Sequence, residues 1–89
     1  MAIMDLSQTL KLPEDVVNHL PIINITGNRI ILIENFKSIV DYQEDHIRIK
    51  TRKMFLTILG SKLSVEYYNQ EEIKILGKIN KIEFEVFHE

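Results

Sequence analysis

Over residues 22–86, apolar and polar side chains alternate with a period of two, and turn-forming residues interrupt the alternation every few positions. This pattern is typical of half-buried β-strands, because successive side chains of a strand point to opposite faces of the sheet. The alternation is clearest where Ile47 and Ile49 are predicted to be buried while Arg48 and Lys50 are exposed. The pattern predicts an all-β fold of about eight short, mostly antiparallel strands in a small sandwich or meander.

The segment before these strands has a different character. Pro13 is followed by two acidic residues, which suits the first turn of a helix, and Pro21 ends any helix that reaches it. We therefore expect one short N-terminal helix at residues 13–20. Residues 1–10 are predicted to form a flexible N-terminal segment, and residues 11–89 a single β domain, since 89 residues give room for one domain.

Glycine and asparagine mark the predicted turns between strands. Residues 56–67 are similar to residues 73–84 at a spacing of 17 residues, and each copy has the order strand, glycine, strand. We interpret the two copies as a repeated hairpin, because a solenoid needs at least about three repeats. Four residues are expected to shape turns: Gly27, Asn28, Gly60 and Gly77.

Two of the predicted strands are apolar on both faces, at residues 30–33 and 54–59. A strand with two apolar faces is usually covered on both sides. Both strands are therefore expected to be central in the fold or to lie against a partner.

No arrangement of side chains in the sequence indicates an active site. The chain has no cysteine, and its histidines at positions 19, 46 and 88 lack the close spacing of a zinc site. Its glycines stand singly, so no phosphate-binding loop is predicted. We expect no catalytic residue, no cofactor and no metal, and we predict that the protein is not an enzyme.

The charge pattern also limits the partners. The net charge of −2 is too close to neutral to attract a polyanion, so no nucleic-acid partner is expected. One basic cluster remains as a candidate anion contact, and a solvated turn is its preferred interpretation. Its members are Arg48, Lys50, Arg52 and Lys53.

Two adjacent tyrosines are the candidate contacts for a protein partner. Tyr67 and Tyr68 point to opposite faces of one predicted strand, so one is expected in the core and the other on the surface. An exposed tyrosine beside apolar strands is a common component of protein interfaces.

Several segments in combination resemble the YabP/YqfC family of sporulation proteins, and the similarity is greatest to the YqfC branch. The resemblance covers residues 11–85, and its most specific parts are the pair Glu34 and Asn35, residues 42–51 and the two later glycines. One departure is the segment 52–54, where family members often carry a glycine. The turn before the next strand is therefore expected to differ here.

The resemblance implies a function that the residues alone do not. Members of the family are made by endospore-forming bacteria, and no enzymatic activity is established for them. They are usually encoded beside a membrane-associated sporulation protein, which implies a protein partner of that kind and a location in the mother-cell cytoplasm. We expect a scaffolding or interaction role, with Glu34 and Asn35 as further candidate contacts and self-association as an additional expectation. The alternative is a small ligand- or anion-binding regulatory module.

The sequence contains no signal peptide and no apolar run of about 20 residues, so we expect no direct insertion into a membrane.

Overall fold

The computed structural model describes residues 19–88, and within them one antiparallel sheet of six strands contains all the regular structure. This confirms the all-β prediction. The strands are β1 (Ile22–Thr26), β2 (Ile30–Glu34), β3 (Phe36–Tyr42), β4 (His46–Thr51), β5 (Met54–Tyr68) and β6 (Glu72–Val86). Their order across the sheet is β1-β2-β6-β5-β4-β3.

The predicted helix at residues 13–20 lies mainly outside the described residues, as does the predicted flexible segment at residues 1–10. His19 and Leu20 are described, and they form a turn and a bend that lead into β1.

The prediction of about eight strands is wrong, because two pairs of predicted strands are each continuous. β5 and β6 are both 15 residues long and run through Gly60 and Gly77 without reversing direction. The repeated hairpin is therefore also a wrong interpretation. The two similar segments lie in β5 and β6, which pair with each other along almost their whole length.

Gly60 and Gly77 bend these long strands where the pairing register shifts. The two shorter hairpins bind to the bends through backbone hydrogen bonds. The N–H of Gly60 donates to the carbonyl of Asp45 in the β3–β4 turn at 3.0 Å, and the N–H of Gly77 donates to the carbonyl of Arg29 in the β1–β2 turn at 3.2 Å. Each bend is thus held by the tip of one hairpin.

This arrangement gives the molecule an approximate two-fold symmetry. One half consists of the hairpin β1–β2 and strand β6, and the other consists of the hairpin β3–β4 and strand β5. The axis passes between β5 and β6 near residues 61 and 78, which face each other in the register. The 17-residue spacing of the similar segments follows from this symmetry, because the axis superimposes β5 on β6.

A single residue forces the sheet to curl on itself. Asn35 alone separates β2 from β3, although these strands are second and sixth in the sheet. Four strand spacings in a flat sheet would separate them by about 19 Å, whereas two Cα–Cα steps span at most about 7.6 Å. The two ends of the sheet therefore approach each other, and its concave face encloses the core.

The core is almost entirely isoleucine and leucine, and each half of the molecule supplies five of its ten buried side chains. Ile47 and Ile49 are completely buried and Lys50 is exposed, as predicted. Arg48, predicted to be exposed, is half-buried because its guanidinium packs on the Phe55 ring. Residues 30–33 and 54–59 lie in strands that have a neighbour on both sides within the sheet, but only one face of each segment is fully buried. The core residues are Ile31, Ile33, Ile47, Ile49, Leu56, Ile58, Leu63, Ile73, Ile75 and Ile79.

Candidate interaction surface

The crossing between β2 and β3 organises one end of the molecule. Asn35 has a φ of 62°, a left-handed conformation that asparagine adopts more readily than most residues. Its side-chain Nδ2 donates a hydrogen bond to the carbonyl of Leu20 at 3.0 Å. Asn35, predicted as a contact for a partner, therefore also has a role in the fold, and it positions Glu34 and Phe36 on either side of the crossing.

Phe36 brings the two predicted interaction segments together. Its ring lies 5.6 Å from the ring of Tyr68, centroid to centroid, at an interplanar angle of 56°. Such tilted pairs are favourable because the edge of one ring meets the face of the other. Tyr68 nevertheless remains 49% exposed, so its ring is held in place and still open to a partner. The sequence does not predict the contribution of Phe36, because this residue stands alone in a short polar stretch between two apolar segments.

Tyr67 lies on the opposite face of β5 from Tyr68, as the strand geometry predicts. The expectation that one of the two is in the core is wrong, since Tyr67 is 38% exposed. The reason is that β4 pairs only with the first part of β5, so at Tyr67 the strand β5 has β6 on one side and no strand on the other. The Tyr67 hydroxyl donates a hydrogen bond to the carboxylate of Glu72, and this bond raises the pKa of the phenol.

An open concavity of about 510 Å³ lies at the same end of the molecule. It combines acidic, basic and apolar side chains from four separate parts of the chain. We call this concavity, together with the Phe36–Tyr68 ring pair, the open end. The lining residues used below are Ile22, Glu34, Asn35, Phe36, Arg52 and Glu71.

The four basic residues predicted as an anion contact do not converge on one site. The guanidinium of Arg48 lies 4.0 Å from the centre of the Phe55 ring and 3.3 Å from the carboxylate of Glu85. Arg52 lines the open end instead. Lys50 and Lys53 are exposed, and Lys50 shares a shallow depression with Arg48 and the carboxylate of Asp41.

The predicted turn residues have different roles. Gly27 has a φ of 54°, as a turn glycine can. The turn is closed by a hydrogen bond from the N–H of Arg29 to the carbonyl of Thr26 at 3.2 Å. The carbonyl of Asn28 accepts a bond from the N–H of Ile79 at 2.8 Å, which binds the turn to β6. Gly60 and Gly77 are bends within strands, as described above.

One cluster of titratable residues was not predicted. The imidazole of His46 is bonded through Nδ1 to Asp45 and through Nε2 to Asp41, both at 2.8 Å. The two carboxylates raise the pKa of His46, with Asp41 as the larger cause, and the same contact lowers the pKa of Asp41. No regular spacing marks this cluster in the sequence, because the bulged β3–β4 hairpin brings its members together.

Within residues 19–88, no group of three or more His, Cys, Asp or Glu side chains has the geometry to hold a metal ion. In the same part of the chain, no helix has the length and apolarity needed to cross a membrane.

Comparison with known proteins gives one family and one curated relative. The profile of the YabP family matches residues 19–88. The uncharacterized protein YqfC of Bacillus subtilis (strain 168) is 28% identical over 79 residues, which cover 89% of this chain and 85% of YqfC. No solved structure matches the chain significantly. The matched region contains all six strands and the open end.

Proposed function

The chain belongs to the YabP family, and on that basis we propose that it is a non-enzymatic protein that acts in endospore development by binding another protein. Its proposed location is the mother-cell cytoplasm. The proposed partner is a protein, of the membrane-associated sporulation class that the family resemblance implies.

The observation that carries the proposal is the ring pair at the open end. Protein interfaces depend on a few aromatic anchors that are already rigid before binding, because less side-chain entropy is then lost. Tyr68 meets this description: Phe36 restrains its ring, and about half of its surface remains free. Ile22, also 48% exposed, adds apolar surface at the same end.

The charges around the rings support a protein partner over a simple anion. Glu34 and Glu71 line the open end together with Arg52. A mixed set of charges provides specificity toward a protein surface of complementary pattern. A dedicated anion site would need convergent basic groups, and Arg48, one of the four residues of the predicted basic cluster, is paired with Glu85.

The test is a comparison of two exposed residues on different surfaces. Tyr68→Ser changes the open end, and Val40→Ser is the matched control, because Val40 is 48% exposed and Tyr68 is 49% exposed. Each tagged variant is expressed in sporulating and in vegetative Bacillus subtilis, and bound proteins are quantified by mass spectrometry. We expect wild type and Val40→Ser to retain the same sporulation-specific protein, and Tyr68→Ser to lose it.

The unfolding temperature of each variant shows whether a loss of binding reflects a loss of folding. Equal retention by wild type and Tyr68→Ser would contradict the role of the open end. A partner retained equally from vegetative and sporulating cells would contradict the role in sporulation.

A further inference from the structure

The second half of β6 is an edge of the sheet that differs from the other edges. β2 pairs with β6 only over Glu72–Leu76, so among the described strands residues 81–86 have a neighbour on the β5 side alone. Their pairing with β5 is regular from Lys81 to Val86, without a bulge. We call the free side of residues 81–86 the β6 edge.

The other edges carry features that hinder pairing with another strand. β1 is only five residues long, and β3 has two register shifts. The second half of β5 also has a register shift, and the Tyr42 hydroxyl accepts a hydrogen bond from the N–H of Val65 at 2.8 Å. Short strands, bulges and capped N–H groups are ways in which proteins prevent edge-to-edge association. The β6 edge has none of them.

The β6 edge also exposes apolar side chains. Phe84 lies directly opposite the buried Leu56, so it is on the core-facing side of the sheet, yet 60% of it is exposed. Val86, on the same side, is 57% exposed. Ile82, opposite Ile58, is partly buried. An exposed apolar stripe along an open strand is typical of a surface that binds another strand.

The backbone of the same three residues points outward. The N–H of Phe87 donates to the carbonyl of Lys53 at 2.9 Å, which makes these two residues a hydrogen-bonded pair. Hydrogen-bonded and non-bonded pairs alternate along an antiparallel ladder. Ile82, Phe84 and Val86 are therefore the non-bonded positions toward β5, and they present their N–H and C=O groups at the β6 edge.

We propose that the β6 edge binds the β6 edge of a second copy of this chain in antiparallel orientation, with Glu83 opposite Glu83 at the two-fold axis. This register sets Lys81 opposite Glu85 of the second copy, and it does so twice. It also sets Ile82 opposite Phe84 of the second copy, again twice.

The proposed register has one like-charged contact, between the two Glu83 side chains at the axis, and it sets Val86 opposite Asn80. The neighbouring registers have less favourable pairings. A shift of the axis to position 84 would place Glu83 opposite Glu85 of the second copy twice, which is repulsive. A shift to position 82 would keep two pairs of opposite charge, Lys81 with Glu83, but it would place the large Phe84 side chain opposite the polar Asn80 twice instead of opposite Ile82. A register centred between two residues would place apolar side chains opposite charged ones. Apart from the Glu83 pair at the axis, the alternation of charged residues with three apolar residues is thus self-complementary, as a symmetric interface requires.

This proposal does not rest on the proposed function, because the β6 edge and the open end have no residue in common. Its first test uses charge reversal and sedimentation velocity of the full chain. Wild type is expected to be a dimer of about 21 kDa, twice the 10.5 kDa of one chain. Lys81→Glu and Glu85→Lys are each expected to raise the dimer Kd by about tenfold or more, since each places two like-charged pairs at the interface. An equimolar mixture of the two variants is expected to restore the dimer, because every cross-pair is again of opposite charge.

The second test fixes the register. The chain has no cysteine, so a single introduced cysteine gives an unambiguous signal. Opposed residues of a non-bonded antiparallel pair have Cα atoms about 4.5 Å apart, which a disulfide can span. Glu83→Cys is therefore expected to form a covalent dimer under mild oxidation, and Lys81→Cys, which would face Glu85, is expected to form much less.

The variant Phe84→Lys distinguishes a second copy of the chain from another part of the same chain as the segment that covers the β6 edge. Loss of the dimer, with a rise in Kd of about thirtyfold or more and an unchanged unfolding temperature in dilute solution, supports the proposal. A wild type that is monomeric at millimolar concentration would overturn it. In that case a lower unfolding temperature of Phe84→Lys would mean that another part of the chain covers the edge. If the dimer persists in Phe84→Lys and in both charge-reversal variants, the proposal is wrong and the two copies contact each other through another surface.

Discussion

Gly60 in β5 lies against the backbone of β6, and Gly77 in β6 lies against the backbone of β5. A Cβ atom added to Gly60 would collide with the carbonyl of Lys78, and one added to Gly77 would stand 2.7 Å from the carbonyl oxygen of Lys62. The two long strands therefore approach so closely at their bends that neither position has room for a side chain.

Gly60→Ala is expected to destabilise the protein by about 3 kcal/mol or more, because backbone atoms of β6 would have to move. Gly27→Ala is the matched control. Its φ of 54° disfavours alanine, but no atom lies within 4 Å of the added methyl group, so a loss of about 1 to 2 kcal/mol is expected. Urea denaturation followed by circular dichroism measures both. Equal losses would mean that the bend tolerates a side chain.

The burial of Ile49 and the exposure of its neighbour Lys50 can be tested as a pair. Ile49→Ala removes three carbons from the centre of the core and is expected to cost about 2–5 kcal/mol. Lys50→Ala is expected to change the free energy of unfolding by less than about 0.5 kcal/mol. The same denaturation experiment applies, and similar values for the two variants would contradict the assigned register of β4.

The buried Thr51 closes the β4–β5 turn. Its hydroxyl donates to the carbonyl of Met54 at 2.8 Å and accepts from the N–H of the same residue at 3.2 Å. Thr51→Val keeps the shape and leaves these backbone groups without that partner, so a loss of about 1–3 kcal/mol is expected. Thr51→Ser retains the hydroxyl and serves as the control. If Thr51→Val is as stable as wild type, the hydroxyl has no role in the turn.

Because His46 binds Asp41 and Asp45, we expect the free energy of unfolding to change with pH in two ranges. The pKa of His46 is raised above 6.5, so its contribution is fully present below pH 6.5 and is lost as the pH rises through the raised value. The pKa of Asp41 is lowered below 3.8, so its contribution is present above pH 3.8 and is lost as the pH falls through the lowered value. The contact between His46 and Asp41 therefore stabilises the fold fully between pH 3.8 and pH 6.5, and less at lower and at higher pH.

Nuclear magnetic resonance titration of the His46 ring protons measures this pKa directly. Asp41→Asn is expected to lower it more than Asp45→Asn does, because the Asp41 hydrogen bond is the largest cause of the shift. Unchanged titration in both variants would show that the carboxylates do not bind the imidazole in solution.

The alternation of side chains was sufficient to predict which residues face the core, because each strand has one buried face. Ile47 and Ile49 were assigned in this way, whereas the segments 30–33 and 54–59 are apolar on both faces and gave no such assignment. The glycines were misinterpreted, because an isolated glycine is compatible with a turn between strands and with a bend inside one. Only pairing between β5 and β6 distinguishes these cases, and that pairing is not local in sequence.

The candidate surface was predicted in part. The sequence indicated Tyr68, Glu34 and Asn35 separately, and nothing in their spacing indicated that Phe36 would bring them together. That contact depends on the crossing at Asn35, which follows from the order of strands in the whole sheet. The same strand order accounts for the exposure of Phe84, because no strand lies beside the second half of β6 on its outer side. In the sequence, residues 81–86 alternate between charged and apolar just as a strand with one buried face does.

The strand order also determines when the fold can be completed. Strands β3 to β6 are neighbours in sequence and in space, so they can form as successive hairpins while the chain is still being synthesised. Among the six described strands, the β1–β2 hairpin is made before the others, but it must wait for β6, which is made after them, to receive it. Until then, Ile31 and Ile33 on β2 lack their partners Ile75 and Ile73 on β6. A nascent chain that still lacks β6 therefore leaves the apolar face of the β1–β2 hairpin less covered than in the finished fold, and such exposure promotes aggregation.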